Sequence, residues 1–119
     1  MKKVLKQYRL DNRKYLDYYV YSPYEEKQNL PLLLFLHGIG ECGDNIDDIE
    51  KYALPKYLKH GLELSYIIIA PQCKQSNFWD YHLRDIEIIL EDEYKNYNYD
   101  KSNVFVLGSS MGAYGAWNY

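Results

Sequence analysis

Cysteine is scarce in this chain: 119 residues hold two, Cys42 and Cys73. They have neither C-x-x-C spacing nor a histidine partner at zinc-ligand spacing, so both are expected to be reduced thiols rather than metal ligands. Long apolar runs are missing as well. Met1–Tyr8 carries positive charge, yet no apolar stretch of signal-peptide length follows it and nothing approaches the length of a membrane span. A cytoplasmic location with no membrane partner is the expectation. Basic excess is also absent: 14 Lys and Arg against 17 Asp and Glu leave a formal charge of -3. With lysines scattered among acids and a pI near 5.6, the chain offers no patch for a phosphate backbone, and nucleic acid is excluded as a partner. No internal repeat or low-complexity linker divides it, so one domain spanning 1–119 is the limit.

The remaining composition is that of an ordinary globular chain, 47% hydrophobic and 26% charged, apart from 15 tyrosines. Tyr15, Tyr18, Tyr19, Tyr21 and Tyr24 crowd the first quarter. Tyrosine suits a half-exposed strand surface, with the ring packed and the hydroxyl in water, and that is the role expected of this group.

The hydrophobic pattern alternates strand and helix. Tyr15–Tyr21 reads as an early strand ending at Ser22-Pro23, and the continuous apolar run Leu32–Leu36 reads as a strand buried on both faces. Ile49, Tyr52, Ala53 and Leu54 suggest a short helix interrupted near Pro55. Tyr66–Ala70 is the next buried strand, stopped by Pro71. From Tyr81 to about Asn96, apolar Leu83, Ile86, Ile89, Leu90 and Tyr94 recur at helical spacing among acids and lysine. Asn103–Leu107 returns to strand, and a last helix follows. This order predicts an α/β architecture with a largely parallel sheet.

Ligand sites of such sheets lie outside the carboxyl ends of the strands, where both glycine-rich segments fall. One is His37–Asn45, after the Leu32–Leu36 strand. The other is Gly108-Ser109-Ser110-Met111-Gly112, a G-x-S-x-G nucleophile elbow. Its serine sits on a sharp, strained strand-to-helix turn, and the flanking positions must be small, which Gly108 and Gly112 satisfy. Ser110 is the candidate nucleophile. Backbone N–H groups free of ladder pairing in the two segments are what an oxyanion hole requires. Neither segment has a dinucleotide or P-loop signature, and no cofactor is expected. Asp44, Asp47 and Asp48 lack the glycine and terminal glutamate of a calcium loop, so they are expected to be helix N-terminal acids and no metal site is assigned.

Leu36-His-Gly-Ile-Gly-Glu41, Ala70-Pro-Gln72, Trp79 and Gly108–Trp117, in this order, resemble the amino-terminal half of an α/β-hydrolase. The similarity is to the esterase-like "predicted peptidases", near the polyhydroxybutyrate-depolymerase, dienelactone-hydrolase and prolyl-oligopeptidase-like branches. The elbow motif alone is weak, but an H-G-x-G loop roughly 70 residues upstream strengthens it. The resemblance implies a partial α/β-hydrolase fold ending just after the elbow. In it Ser110 attacks an acyl carbonyl, and the backbone N–H groups of Ile39 and Met111 form the oxyanion hole. Gly38, Gly40, Gly108 and Gly112 would support loop and elbow. His37 would shape the loop rather than act as base, while His60 and His82 are expected to be solvated or capping residues. Glu41 and Gln72 either brace the oxyanion loop or are plain surface polar residues. Cys42 stands where related sequences often have arginine, which puts any ion pair of Glu41 in doubt. Trp79 either lines the cleft or packs its wall. The triad acid and histidine, which follow the serine in this fold, would lie beyond Tyr119, where the sequence ends. The expected activity is carboxylic-ester hydrolysis through an acyl-enzyme, on a small ester or a short peptide. The alternatives are a serine peptidase of the same fold and a non-catalytic remnant.

Overall fold

The structure is a computed structural model that describes residues 1–9, 15–74 and 78–118, with the backbone alone for Tyr15, Tyr114 and Asn118. The tyrosine ring at position 15 and the chain end at Tyr119 therefore lie outside the described residues. Five strands form one sheet: β1 (Lys2–Arg9), β2 (Tyr15–Ser22), β3 (Pro31–Leu36), β4 (Ile67–Pro71) and β5 (Asp100–Gly108), in the spatial order β1-β2-β4-β3-β5. The sheet is mixed. β3 runs parallel to both β4 and β5, whereas β2 pairs antiparallel with β4 and β1 antiparallel with β2.

Period-two alternation along the central strands fills both faces. Leu32, Leu34, Leu36, Ile67, Ile69 and Val20 pack on one side with Ile86, Ile89 and Leu90 of helix α2 (Leu83–Tyr97). Phe35, Ile68, Ala70, Tyr19 and Tyr21 pack on the other with Ile46, Ile49 and Leu58. Leu58 belongs to helix α1 (Ala53–Lys59), and the two isoleucines belong to a 3₁₀ turn over Ile46–Lys51. A third helix, α3 (Met111–Asn118), leaves β5 at the elbow.

One strand escapes the sequence pattern and two expectations need correction. The segment Lys2–Arg9, which has no buried alternation to betray it, is a full strand: it is mostly exposed and is held by a continuous ladder from Lys2 opposite Ser22 to Arg9 opposite Tyr15. Pro55 does not interrupt a helix. It lies buried in the first turn of α1, where the N–H that proline lacks has no intrahelical acceptor anyway.

The hydroxyls of Tyr18, Tyr19 and Tyr21 in β2 are not in water. On one face Tyr18 donates to Glu93 of α2 (2.6 Å), and on the other Tyr21 donates to Glu50 (2.9 Å) while Tyr19 donates to Asp47. Each glutamate also takes a lysine from β1, Lys6 on Glu93 at 2.8 Å and Lys3 on Glu50 at 3.0 Å. A buried carboxylate is tolerable only when paired and hydrogen-bonded, and the tyrosine-rich strand supplies those bonds on both sides of the sheet. Burial pushes the Glu93 carboxyl up, but the bonds from Lys6, Tyr18 and Asn96 outweigh it and hold the group below the usual glutamate range.

Candidate active site

The parallel pairing of β3 with β5 brings the two glycine-rich segments together. Leu36 lies opposite Gly108 in register, so the loop after β3 and the elbow after β5 leave the sheet side by side at its carboxyl edge. The Ser109 amide donates to the Leu36 carbonyl at 3.1 Å, continuing the contact one residue past the strand. Ser110 then takes φ = 56°, a left-handed conformation that L-residues adopt at a cost. It is exposed, and α3 begins immediately after it. The Gly112 amide donates to Ser109 O and the Ala113 amide to Ser110 O, at 2.9 and 2.8 Å.

Close packing explains two of the glycines. A Cβ on Gly112 would lie 1.7 Å from the Leu36 carbonyl oxygen, and one on Gly108 would lie 2.1 Å from the Gly112 oxygen. A side chain at Gly112 would push α3 off the end of β3, and one at Gly108 would push it off the end of β5. Gly38 is less constrained, since its Cβ would sit 3.4 Å from that of Ser110 and 3.3 Å from a Glu41 carboxylate oxygen. Gly40 faces open space, with nothing within 4 Å, so the loop has no steric need of glycine there. Gly115, which the elbow motif does not include, is needed: a Cβ on it would fall 2.6 Å from that of Trp79. Its only sequence signal is its place one helical turn after Gly112.

Met111 opens α3 and Ile39 opens a 3₁₀ turn over Ile39–Glu41. First-turn amides have no intrahelical acceptor. The bonds of the loop run from Glu41 N–H to Gly38 O and from Cys42 N–H to Ile39 O, which leaves the Ile39 amide outside them. Ile39, Phe78, Trp79, Asp80, Ser110, Met111 and Gly115 line a cleft of about 450 Å³. A second hollow of about 490 Å³ lies at the opposite end of the sheet, among Ser22, Leu30, Ile67 and Tyr97, away from every residue of the elbow.

His37 is fully engaged in shaping the loop. Its Nδ1 is 2.6 Å from the Gly38 carbonyl, and its Nε2 accepts the Cys73 amide at 2.9 Å. A backbone N–H can only donate, so the ring is the neutral tautomer with its proton on Nδ1. Burial drives its pKa down to about 4, against the opposing pull of the Gly38 carbonyl. Trp79 packs edge-on against this ring, 4.8 Å between centroids, and its indole N–H donates to the His37 carbonyl at 2.9 Å. Trp79 is therefore both cleft lining and wall, buried to 1% exposure. Gln72 is a brace: its amide nitrogen donates to the carbonyls of Glu41 (2.9 Å) and Asn45 (2.7 Å), tying the loop to the end of β4. Glu41 is buried beside Gly38. Burial raises its carboxyl, opposed by a hydrogen bond from its own amide.

His60 is exposed at the end of α1. His82 corrects the expectation of a solvated or capping residue. It is buried at 3% exposure, stacks edge-on toward Trp79 and makes no side-chain cap bond, its Nδ1 lying 3.7 Å from Asp85. Burial lowers its pKa, against the pull of Asp85. The aromatic neighbour on its own turn holds it inside, which its polar flanks in sequence did not indicate. Among the described residues no histidine hydrogen-bonds Ser110, and no helix is long and apolar enough to cross a membrane. Asp44, Asp47 and Asp48 are taken up by Lys74, Tyr19 and Lys51 respectively.

No family model and no curated protein matches the chain. Solved structures do. A thermostable esterase superposes with a TM-score of 0.76 at 22% identity, covering 97% of this chain and 36% of its own. A thermostable carboxyl esterase from Bacillus coagulans gives 0.67 at 14% identity, covering 100% of this chain and 40% of its own. A fungal esterase from Rhizomucor miehei gives 0.63 at 18% identity, covering 98% and 38%. The chain thus spans little more than a third of the length of these esterases. These superpositions, over nearly the whole of this chain, show that it has an α/β-hydrolase fold.

Proposed function

We propose that this chain supplies the nucleophile and the oxyanion hole of a serine carboxylic-ester hydrolase. The observation that carries the reading is the conformation of Ser110: an exposed serine at φ = 56° between β5 and α3, in the cleft that Ile39 and Met111 also line. Ser110 Oγ attacks the ester carbonyl carbon. The Ile39 and Met111 amides receive the developing oxyanion, the alcohol leaves, and water cleaves the acyl-enzyme. A proton acceptor for Ser110 is required, and His37 is spent on Gly38 O and Cys73 N–H. The base and its carboxylate are therefore proposed to come from sequence beyond residue 119, in keeping with coverage of only 36% of the first esterase. The cleft is lined mainly by apolar side chains, which favours an ester with a small apolar acyl group over a peptide.

Hydrolysis of an activated aryl acetate tests this. The 119-residue chain is expected to be nearly inert, since losing the base costs on the order of 10⁶ in turnover in a serine protease. A version completed with the missing half is expected to turn over, and to lose that activity on Ser110→Ala. Enzyme-like hydrolysis by the 119-residue chain that disappears with His37→Ala would make His37 the base and overturn the assignment.

A further inference from the structure

Cys42 and Cys73 are far apart in sequence and meet beneath the oxyanion loop. Cys73 belongs to the buried core and Cys42 packs against that core while remaining partly accessible. The backbone of Cys73 grips the loop at two points. Its amide donates to His37 Nε2 at 2.9 Å, before Ile39, and its carbonyl accepts the Gly43 amide at 3.0 Å, after Ile39. The second bond sets the residue following Cys42 directly against Cys73, and each thiol shifts the pKa of the other. We propose that Cys42 and Cys73 form a reversible disulfide that staples the Ile39 loop to the end of β4. The hydrogen bonds already hold the two backbone segments together.

Peroxide is the oxidant class the pair would answer to. The Cys42 thiolate attacks a peroxide oxygen, an S–O bond forms, the O–O bond breaks, and the departing hydroxide leaves as water with the thiol proton. Cys73 sulfur then attacks the Cys42 sulfenic acid. The S–S bond forms, the S–O bond breaks, and the Cys73 proton leaves with hydroxide as a second water. Two thiols lose two electrons and one peroxide gains them. Cys42 is the attacking member because it is the accessible one. Burial raises both thiols above the usual range, and for Cys42 the neighbouring Cys73 thiol opposes the shift. The thiolate is scarce at neutral pH, so oxidation quickens as pH rises.

The test reads thiols and not hydrolysis, so it stands apart from the proposed function. The chain is treated with hydrogen peroxide, and the products are mapped by proteolysis and mass spectrometry. The expected product is a monomer about 2 Da lighter, with a Cys42–Cys73 cross-linked peptide that dithiothreitol reverses. Amide exchange over Ile39–Gly43 should slow in the oxidised form. With Cys73→Ser, oxidation should halt on Cys42 as sulfenic or higher acids, and with Cys42→Ser both cross-link and rate should vanish. A wild-type product carrying only intermolecular disulfides, or sulfinic acid on Cys42 with Cys73 still free, would overturn the proposal. So would an oxidised form whose Ile39–Gly43 exchange is unchanged.

Discussion

Four glycines around Ser110 look alike in sequence and differ sharply in what they must do. Gly112 and Gly108 let backbone approach backbone where a methyl group would sit 1.7 and 2.1 Å from a carbonyl oxygen, whereas Gly40 looks into solvent. Gly112→Ala is expected to cost more than about 4 kcal/mol or to prevent folding, and Gly40→Ala to stay within about 0.5 kcal/mol, as measured by urea unfolding. Equal effects at the two positions would mean that α3 does not pack on β3 as described. His37 adds a pH dependence. Its folded-state pKa of about 4 lies below its ordinary 6.5, so the folded chain binds fewer protons than the unfolded one in that window. Stability is fully present above 6.5 and falls as pH drops toward 4, by roughly 3 kcal/mol in all. The difference between the chain and His37→Asn in unfolding titrations isolates that slope; a wild-type stability no steeper in pH than the variant would place His37 in water. The elbow and the H-G-x-G loop were legible as sequence because their chemistry is local. The clash that awaits Gly115 depends on Trp79 reaching it from another element, and the burial of His82 on how the turn it shares with Trp79 packs inward; no local pattern encodes either.

The central strands were legible as elements for the same reason. Leu32–Leu36 and Tyr66–Ala70 are apolar throughout because both faces are covered, and continuous burial leaves a continuous signal. β1 left none, since its register comes from β2 rather than from its own side chains, and the hydroxyl partners of β2 sit on helices far along the chain. β5 is the element most at odds with its surroundings. Among the described residues it pairs with β3 alone, and Val104, Phe105 and Leu107 remain 39%, 47% and 45% exposed. A sheet edge with apolar side chains invites association. The 119-residue chain is expected to self-associate with rising concentration, and amides over 104–107 to exchange faster than those of β3 and β4. Size exclusion and hydrogen exchange check both; a sharp monomer with strong protection across 104–107 would show that the β5 edge is stable uncovered.

At the scale of the molecule, a mixed sheet with helices on both faces carries two loops to one edge, and the pairing of Leu36 with Gly108 is what makes them one site. Strained serine, free first-turn amides and a mainly apolar cleft converge there, while the neighbouring histidine is committed to the loop. The account rests on Ser110 being a nucleophile completed by groups that this chain does not contain. Treatment with a fluorophosphonate, followed by intact-mass and peptide mapping, tests that most directly. In a chain completed with a second half that supplies the base and its carboxylate, one adduct is expected, on Ser110, absent after Ser110→Ala, and almost none on the 119-residue chain over the same interval. An adduct elsewhere, or hydrolysis that survives Ser110→Ala, would contradict it.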